Sequence, residues 1–157
     1  MQRRRRRQNR SLGQSLAEFA LVLPIFLLIL TGIIDFGFLL YSRMTVINAT
    51  REGARSAVTM IKSFQGIPAT VQNAVVGADT GLGLTTGNVT VSCVVIGSNG
   101  NVDGSNTCSF SSNTQAPTGE FNAVHVTTNY TYHSIFASFF GSTITLSSTV
   151  QMVIDPQ

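Results

Sequence analysis

The feature that most constrains this chain is an apolar run of membrane length near its N-terminus. No charged residue lies in the stretch 19–34, and after Asp35 the apolar run continues to Tyr41. As one helix the whole run would be about 34 Å long, which matches a hydrocarbon core of about 30 Å with modest tilt. Its sixteen Leu, Ile, Phe and Val residues each favour membrane insertion. The sum of their free energies exceeds the cost of placing the one carboxylate, Asp35, in the membrane. The sequence therefore predicts a transmembrane helix over residues 14–41 that bends, but does not end, at Pro24.

A cleaved secretory signal is the alternative interpretation of this run, because it also begins with positive charge and an apolar core. That core usually spans about 7 to 15 residues and ends at a small-residue cleavage site. The run here is longer and is not followed by an Ala-x-Ala sequence. The pattern therefore favours an anchor that is retained.

Basic residues are concentrated before the apolar run. Six of the ten Lys and Arg residues lie in the stretch 1–13, and none follows Lys62. The positive-inside bias therefore predicts a single-pass protein of the cell membrane, with residues 1–13 cytoplasmic and the chain after about residue 41 outside. The C-terminal half offers no basic face to a phosphate backbone, which argues against a nucleic-acid partner. A rival hypothesis keeps the chain in the cytoplasm, where the arginine run would bind acidic lipids or nucleic acid.

Helical spacing continues beyond the apolar run, over residues 42–64. Apolar residues recur there at steps of three, seven, four and three positions, at Met44, Ile47, Ala54, Val58 and Ile61. This spacing predicts an amphipathic helical stem that continues the membrane helix. A neighbouring stripe of Arg51, Arg55 and Lys62 is expected to be a solvated face, or alternatively a contact with a partner subunit or with anionic headgroups.

The remaining residues, 65–157, predict an exported α+β domain. Residues 69–76 are short and apolar enough for a second helix packed on the stem. Alternation of apolar and polar residues predicts half-buried antiparallel strands at 88–96, 121–132 and 143–154. The predicted fold class is α+β, in which a long N-terminal helix, half membrane-embedded and half exported stem, packs on a small antiparallel β-sheet of three to five strands.

Turn residues and two cysteines follow the first predicted strand. The stretch Ser98–Asn106 predicts a hairpin tip, with Thr107–Ser111 returning as a strand. Fourteen residues separate Cys93 from Cys108, and outside the cytoplasm such a pair is expected to form a disulfide. Closing this loop would contribute about 3 kcal/mol. The alternative is two free, buried thiols.

A family resemblance lies in the membrane segment and the start of the stem. Residues 13–24 read Gly-Gln-Ser-Leu-Ala-Glu-Phe-Ala-Leu-Val-Leu-Pro, residues 32–37 read Gly-Ile-Ile-Asp-Phe-Gly, and residues 48–55 read Asn-Ala-Thr-Arg-Glu-Gly-Ala-Arg. This pattern resembles the TadE-like family of pseudopilins, which are accessory subunits of the tight-adherence (Flp-type) pilus system. The resemblance is weak beyond Phe64.

The resemblance implies that a prepilin peptidase removes residues 1–13 by cutting between Gly13 and Gln14. A glycine lets the backbone approach a protease cleft closely. Glu18, followed by Phe19, would be an assembly contact, because a carboxylate at the edge of an apolar segment is costly without a partner such as the N-terminal amine of a neighbouring subunit. The implied partners are the peptidase, other pilin-like or TadE-like subunits, the pilus assembly machinery and membrane lipid. The plainer alternative makes Glu18 an interfacial residue and Gly13 a linker glycine.

Asp35 is a second candidate assembly contact. A carboxylate deep in the apolar segment calls for a partner, which a neighbouring helix could supply. The alternative is that its side chain snorkels to the outer interface.

The exported residues carry few groups suited to catalysis. They include His125 and His133, four carboxylates after Lys62 and no nucleophile motif, so no acid and base pair is indicated. We expect no enzyme activity, no cofactor and no metal. Two function classes remain: a pseudopilin-like pilus assembly subunit, and a signal-anchored surface adhesin or ligand-binding module that never enters a pilus.

Overall fold

Two helices and four strands make up the fold. The structure, a computed structural model, describes residues 5–59, 64–103, 108–111, 118–135, 141 and 143–154. In chain order the elements are α1 (Arg5–Thr59), a 3₁₀ turn (Phe64–Gly66), α2 (Ile67–Gly77), a second 3₁₀ turn (Thr86–Asn88), β1 (Val89–Ile96), β2 (Val102–Asp103), β3 (Phe121–His133) and β4 (Thr143–Val153). The chain divides into two compact units, residues 1–39 and residues 40–157.

The first unit contains the membrane-length part of α1. The helix runs through Pro24 without ending there, as predicted. Its apolar stretch is long enough to cross a membrane, and none of that stretch is buried against the rest of the protein. The core helix of a soluble domain would bury such side chains, whereas a signal sequence would show the same length and composition. The helix is therefore a candidate membrane span by length, composition and exposure.

In the second unit, the stem of α1 packs on α2 and on the sheet. The core unites Ala49, Ala54 and Ala57 of the stem, Ile67, Val71 and Val75 of α2, and Leu84, Val89, Val124, Val126 and Ile154 of the loop and sheet. Such a layer of helices on one antiparallel sheet is the predicted α+β class, which is confirmed. The second helix and the three main strands are also confirmed, each within two residues of its predicted bounds.

The buried face of the stem differs from the predicted apolar stripe. Met44 is 61% exposed, Ile47 and Val58 are half-buried, and only Ala54 of the described members is fully buried. Ile61 lies outside the described residues. The stem instead buries the small residues Ala49, Ala54 and Ala57, and α2 approaches so closely at Gly53 that an added Cβ would overlap the Val75 side chain.

The sheet is antiparallel throughout, with strand order β2-β1-β3-β4. Its inner face is set by register rows such as Val91 opposite Val126 and Val126 opposite Val150. One inner row contains two polar residues: Thr128 lies opposite Ser148 on one side, with the apolar Val89 on the other. The outer face is dominated by Thr, Ser, Asn, Gln and His residues, in agreement with the predicted alternation.

The hairpin after β1 is tighter than predicted. The Gly97 N–H donates to the Asn101 carbonyl at 2.9 Å, and Gly100 takes up a φ of +80° that favours glycine. The returning strand β2 therefore begins at Val102 and pairs with Val95 and Ile96. The predicted strand Thr107–Ser111 is wrong for its described residues 108–111, which lie in coil and turn.

Candidate functional site

The four residues implied in processing lie on α1 and are exposed. Gly13 and Gln14 lie about two turns after the start of α1 at Arg5, and Phe19 is 63% exposed. The side-chain amide of Gln14 donates to Glu18 Oε1 at 3.3 Å, one helical turn away. Because a carboxylate can accept about four hydrogen bonds, this contact leaves acceptor capacity on Glu18. The arrangement presents a carboxylate and an apolar ring side by side at the start of the apolar segment.

Asp35 lies on the same helix, seventeen residues beyond Glu18. At about 1.5 Å per residue the two carboxylates are about 25 Å apart along the helix, so they belong to separate sites. Asp35 is half-buried. Its role as a helix contact stays a prediction.

Tyr41, the last residue of the predicted span, makes a contact that the sequence did not reveal. Its hydroxyl donates to the Thr80 carbonyl oxygen at 2.6 Å and lies 3.1 Å from Thr80 Oγ1. One turn further along α1, Thr45 Oγ1 lies 3.5 Å from the same Thr80 hydroxyl. The end of the apolar run is therefore bonded to the loop that follows α2.

That loop, residues 79–84, is here called the junction loop, and Asp79 organises it. One carboxylate oxygen of Asp79 accepts the Leu82 N–H at 2.9 Å and the other accepts the Leu84 N–H at 2.8 Å. Gly81 and Gly83 have φ of +103° and +72°, which only glycine adopts without strain. A pattern of Asp followed by two glycines indicates a turn in sequence, but its partner Tyr41 could not be found from spacing.

The disulfide joins Cys93 of β1 to Cys108, with their Cα atoms 5.5 Å apart. Neither is a free cysteine. The bridge holds the coil at residues 108–111 beside β1 without strand pairing, and Gln65 Nε2 donates to the Ser111 carbonyl at 3.4 Å. The predicted disulfide is present, and the alternative of two free thiols is wrong.

A polar cavity of about 270 Å³ lies at the hairpin tip. It is lined by residues 97–99, residues 101–103 and Glu120. Small-molecule sites are lined mainly by apolar side chains with a few polar groups, whereas this cavity is lined mainly by polar residues. Within the part of the chain that the structure describes, no three His, Cys, Asp or Glu side chains come together as metal ligands. His125 lies half-buried on the outer face and His133 is exposed at the end of β3.

Comparison with known proteins identifies the N-terminal segment. No curated protein sequence and no solved structure matches this chain. The family model described as TadE-like protein matches residues 13–55. These are the same residues that carry the resemblance, and they include Gly13, Glu18 and Asp35. Residues 13–55 are therefore similar to TadE-like proteins, whereas α2 and the sheet lie outside the match.

Proposed function

We propose that this chain is a non-enzymatic pseudopilin-like subunit that takes part in assembly of a tight-adherence (Flp-type) pilus. Its N-terminus would lie in the cytoplasm, α1 would cross the membrane once, and the α+β domain would be exported. A prepilin peptidase would trim it between Gly13 and Gln14. Its partners would be that peptidase and other pilin-like or TadE-like helices.

The observation that carries the proposal is the exposed apolar surface of the TadE-like segment. The large side chains from Leu16 to Leu40 are mostly half or more exposed, for example Leu28 at 63% and Phe36 at 60%. Apolar surface of this extent needs lipid or other helices to cover it. In a pilus subunit, lipid would cover this surface before assembly and similar helices would cover it afterwards.

The geometry at Glu18 supports a role in that packing. Glu18 lies one turn after Gln14 and already receives one hydrogen bond from it. Cleavage before Gln14 would create an amine on this same helical face, so each trimmed chain would carry a carboxylate and an amine one turn apart. When two such helices lie side by side, the carboxylate of each can pair with the amine of the other. This pairing removes a costly unpaired carboxylate from the apolar layer.

Intact-mass measurement of the membrane-extracted chain, with and without a co-expressed prepilin peptidase, tests the proposal. We expect a chain that begins at Gln14 only when the peptidase is present. Gly13→Ala should block trimming without harming the helix, since an added Cβ there meets no atom within 4 Å. The matched control is Gly37→Ala, which is equally open and should be trimmed normally.

A chain that keeps its basic start in the presence of the peptidase, and that is absent from sheared pili, would contradict the proposal. It would favour the alternative of a signal-anchored surface adhesin or ligand-binding module. Topology is tested separately by protease treatment of sealed cells. Protease added outside the cell membrane should digest residues 65–157. If these residues are digested only after the cytoplasm has been opened to the protease, an exported domain is excluded.

A further inference from the structure

A hydrogen bond from Tyr41 fixes the position of the junction loop along the axis of α1. Tyr41 ends the apolar run and is 48% exposed, and two residues later Arg43 is the first charged side chain after Asp35. Tyrosine is enriched where a membrane span meets the headgroup layer. The Tyr41 hydroxyl touches the Thr80 carbonyl at 2.6 Å, so Thr80 lies at the same level as the polar end of that ring.

The thickness of the headgroup layer makes this contact informative. A bilayer has a hydrocarbon core of about 30 Å and a total of about 40–45 Å with both polar layers, so each polar layer is about 5–8 Å thick. A group within hydrogen-bond distance of an interfacial tyrosine hydroxyl falls inside that layer. The Thr45 hydroxyl, one turn further out and 3.5 Å from Thr80 Oγ1, keeps the loop close to the helix.

The chemistry of the junction loop suits that layer. Its only charged side chain, Asp79, is turned inward onto the N–H groups of Leu82 and Leu84. Its outward positions, Thr80, Gly81 and Gly83, are exposed, small and uncharged. The loop therefore presents neutral backbone and a hydroxyl, without an exposed carboxylate that anionic headgroups would repel. Arg43, two residues after Tyr41 on α1, is also exposed, and its positive charge attracts lipid phosphates.

We propose that the junction loop, residues 79–84, rests in the headgroup layer of the bilayer on the exported side. This inference rests on the proposed membrane anchor. The lipid headgroups are the occupant of the face that the loop and Tyr41 present.

Spin-label accessibility in the full chain tests this, with the native disulfide intact and the protein in phosphatidylcholine vesicles. A nitroxide is placed by Thr80→Cys, which keeps the backbone carbonyl that Tyr41 uses. Leu28→Cys reports the middle of the apolar segment. Ser98→Cys reports the hairpin tip, at the far end of β1 from the junction loop, since eight strand residues span about 26 Å.

Collision rates with oxygen and with a water-soluble nickel chelate are measured at each label. We expect strong protection from nickel at Leu28, full access at Ser98, and several-fold lower access at Thr80 than at Ser98. Protection at Leu28 with Thr80 as accessible as Ser98 would overturn this inference and leave the anchor standing. Access to nickel at all three labels would overturn the anchor itself and this inference with it.

Discussion

The hydroxyl of Tyr41 donates to the carbonyl oxygen of Thr80 at 2.6 Å, across 39 residues of sequence. It joins the residue where the apolar run of α1 ends to a loop whose shape is set by Asp79 and two glycines with positive φ. A backbone carbonyl in a short loop is otherwise satisfied by water. The tyrosine therefore connects α1 to the junction loop within the second unit.

Tyr41→Phe should loosen the junction loop while the ring stays in place. Loss of one net hydrogen bond should lower the free energy of unfolding of the α+β domain by about 0.5–1.5 kcal/mol. Amide hydrogen exchange at residues 80–84 should also become faster, measured by mass spectrometry on the detergent-solubilised chain. Unchanged stability together with unchanged exchange would mean that the Tyr41–Thr80 bond is not held in solution.

Gly53→Ala should destabilise the contact between α1 and α2. An added Cβ would overlap the Val75 side chain and lie 3.3 Å from the Val71 carbonyl oxygen. Such overpacking typically costs about 1–3 kcal/mol, against about 1 kcal/mol gained because alanine favours the helix more than glycine. We expect a net loss in urea unfolding followed by circular dichroism.

Gly77→Ala is the matched control for that experiment. Gly77 ends α2, and a Cβ there meets no atom within 4 Å. The same substitution should be neutral, or stabilising by up to about 1 kcal/mol. Equal responses of the two variants would refute the close approach at Gly53.

Thr128→Val should stabilise the sheet. Thr128 is fully buried on the inner face of β3, and its hydroxyl finds no hydrogen-bond partner in the described part of the chain. Valine has the same shape without the buried hydroxyl, whose desolvation costs about 1–3 kcal/mol. Thermal unfolding should show a higher midpoint for this variant.

The exposed Thr131 on the outer face provides the control, since Thr131→Val should change stability by less than about 0.5 kcal/mol. A lower midpoint for Thr128→Val would show that the buried hydroxyl has a partner in solution, such as an ordered water.

Removal of the Cys93–Cys108 bridge should destabilise the α+β domain. The bridge spans 15 positions, and closing a loop of that size contributes about 3 kcal/mol in the chain-entropy description. Cys93→Ala with Cys108→Ala should lose about this much in denaturant unfolding without reductant. Each single variant should lose a similar amount, and a double variant as stable as the native chain would disprove a stabilising bridge.

Glu18→Ala should leave trimming intact and weaken pilus assembly. In the proposed function, peptidase access depends on the backbone at Gly13, whereas packing against a neighbouring helix depends on the Glu18 carboxylate. Intact mass and the amount of sheared pilus are measured on the same cells. Glu52→Ala, at an exposed carboxylate of the stem, is the control and should assemble normally. Normal piliation in the Glu18 variant would remove Glu18 as an assembly contact.

Much of this fold could be predicted from the local pattern of apolar, polar and turn residues. The apolar run of α1, the period-two strands β3 and β4, and the disulfide partners could all be predicted, because each depends on residue spacing along one segment. The returning strand was misplaced by five residues, since the five-residue tip at Gly97–Asn101 is closed by backbone hydrogen bonds that composition does not report. The stem was predicted as a helix, but its buried face was not.

By itself the sequence determined that this chain has a membrane-length helix, a TadE-like segment and an α+β domain, because hydrophobic periodicity and short motifs act over a few residues. Only the tertiary structure decided which face of the stem is buried, since the need for a glycine at position 53 arises from Val71 and Val75 on another helix. It also decided that Tyr41 meets Thr80. Contacts between distant segments depend on how the surfaces of packed elements fit together. The residue spacing within either segment does not predict that fit.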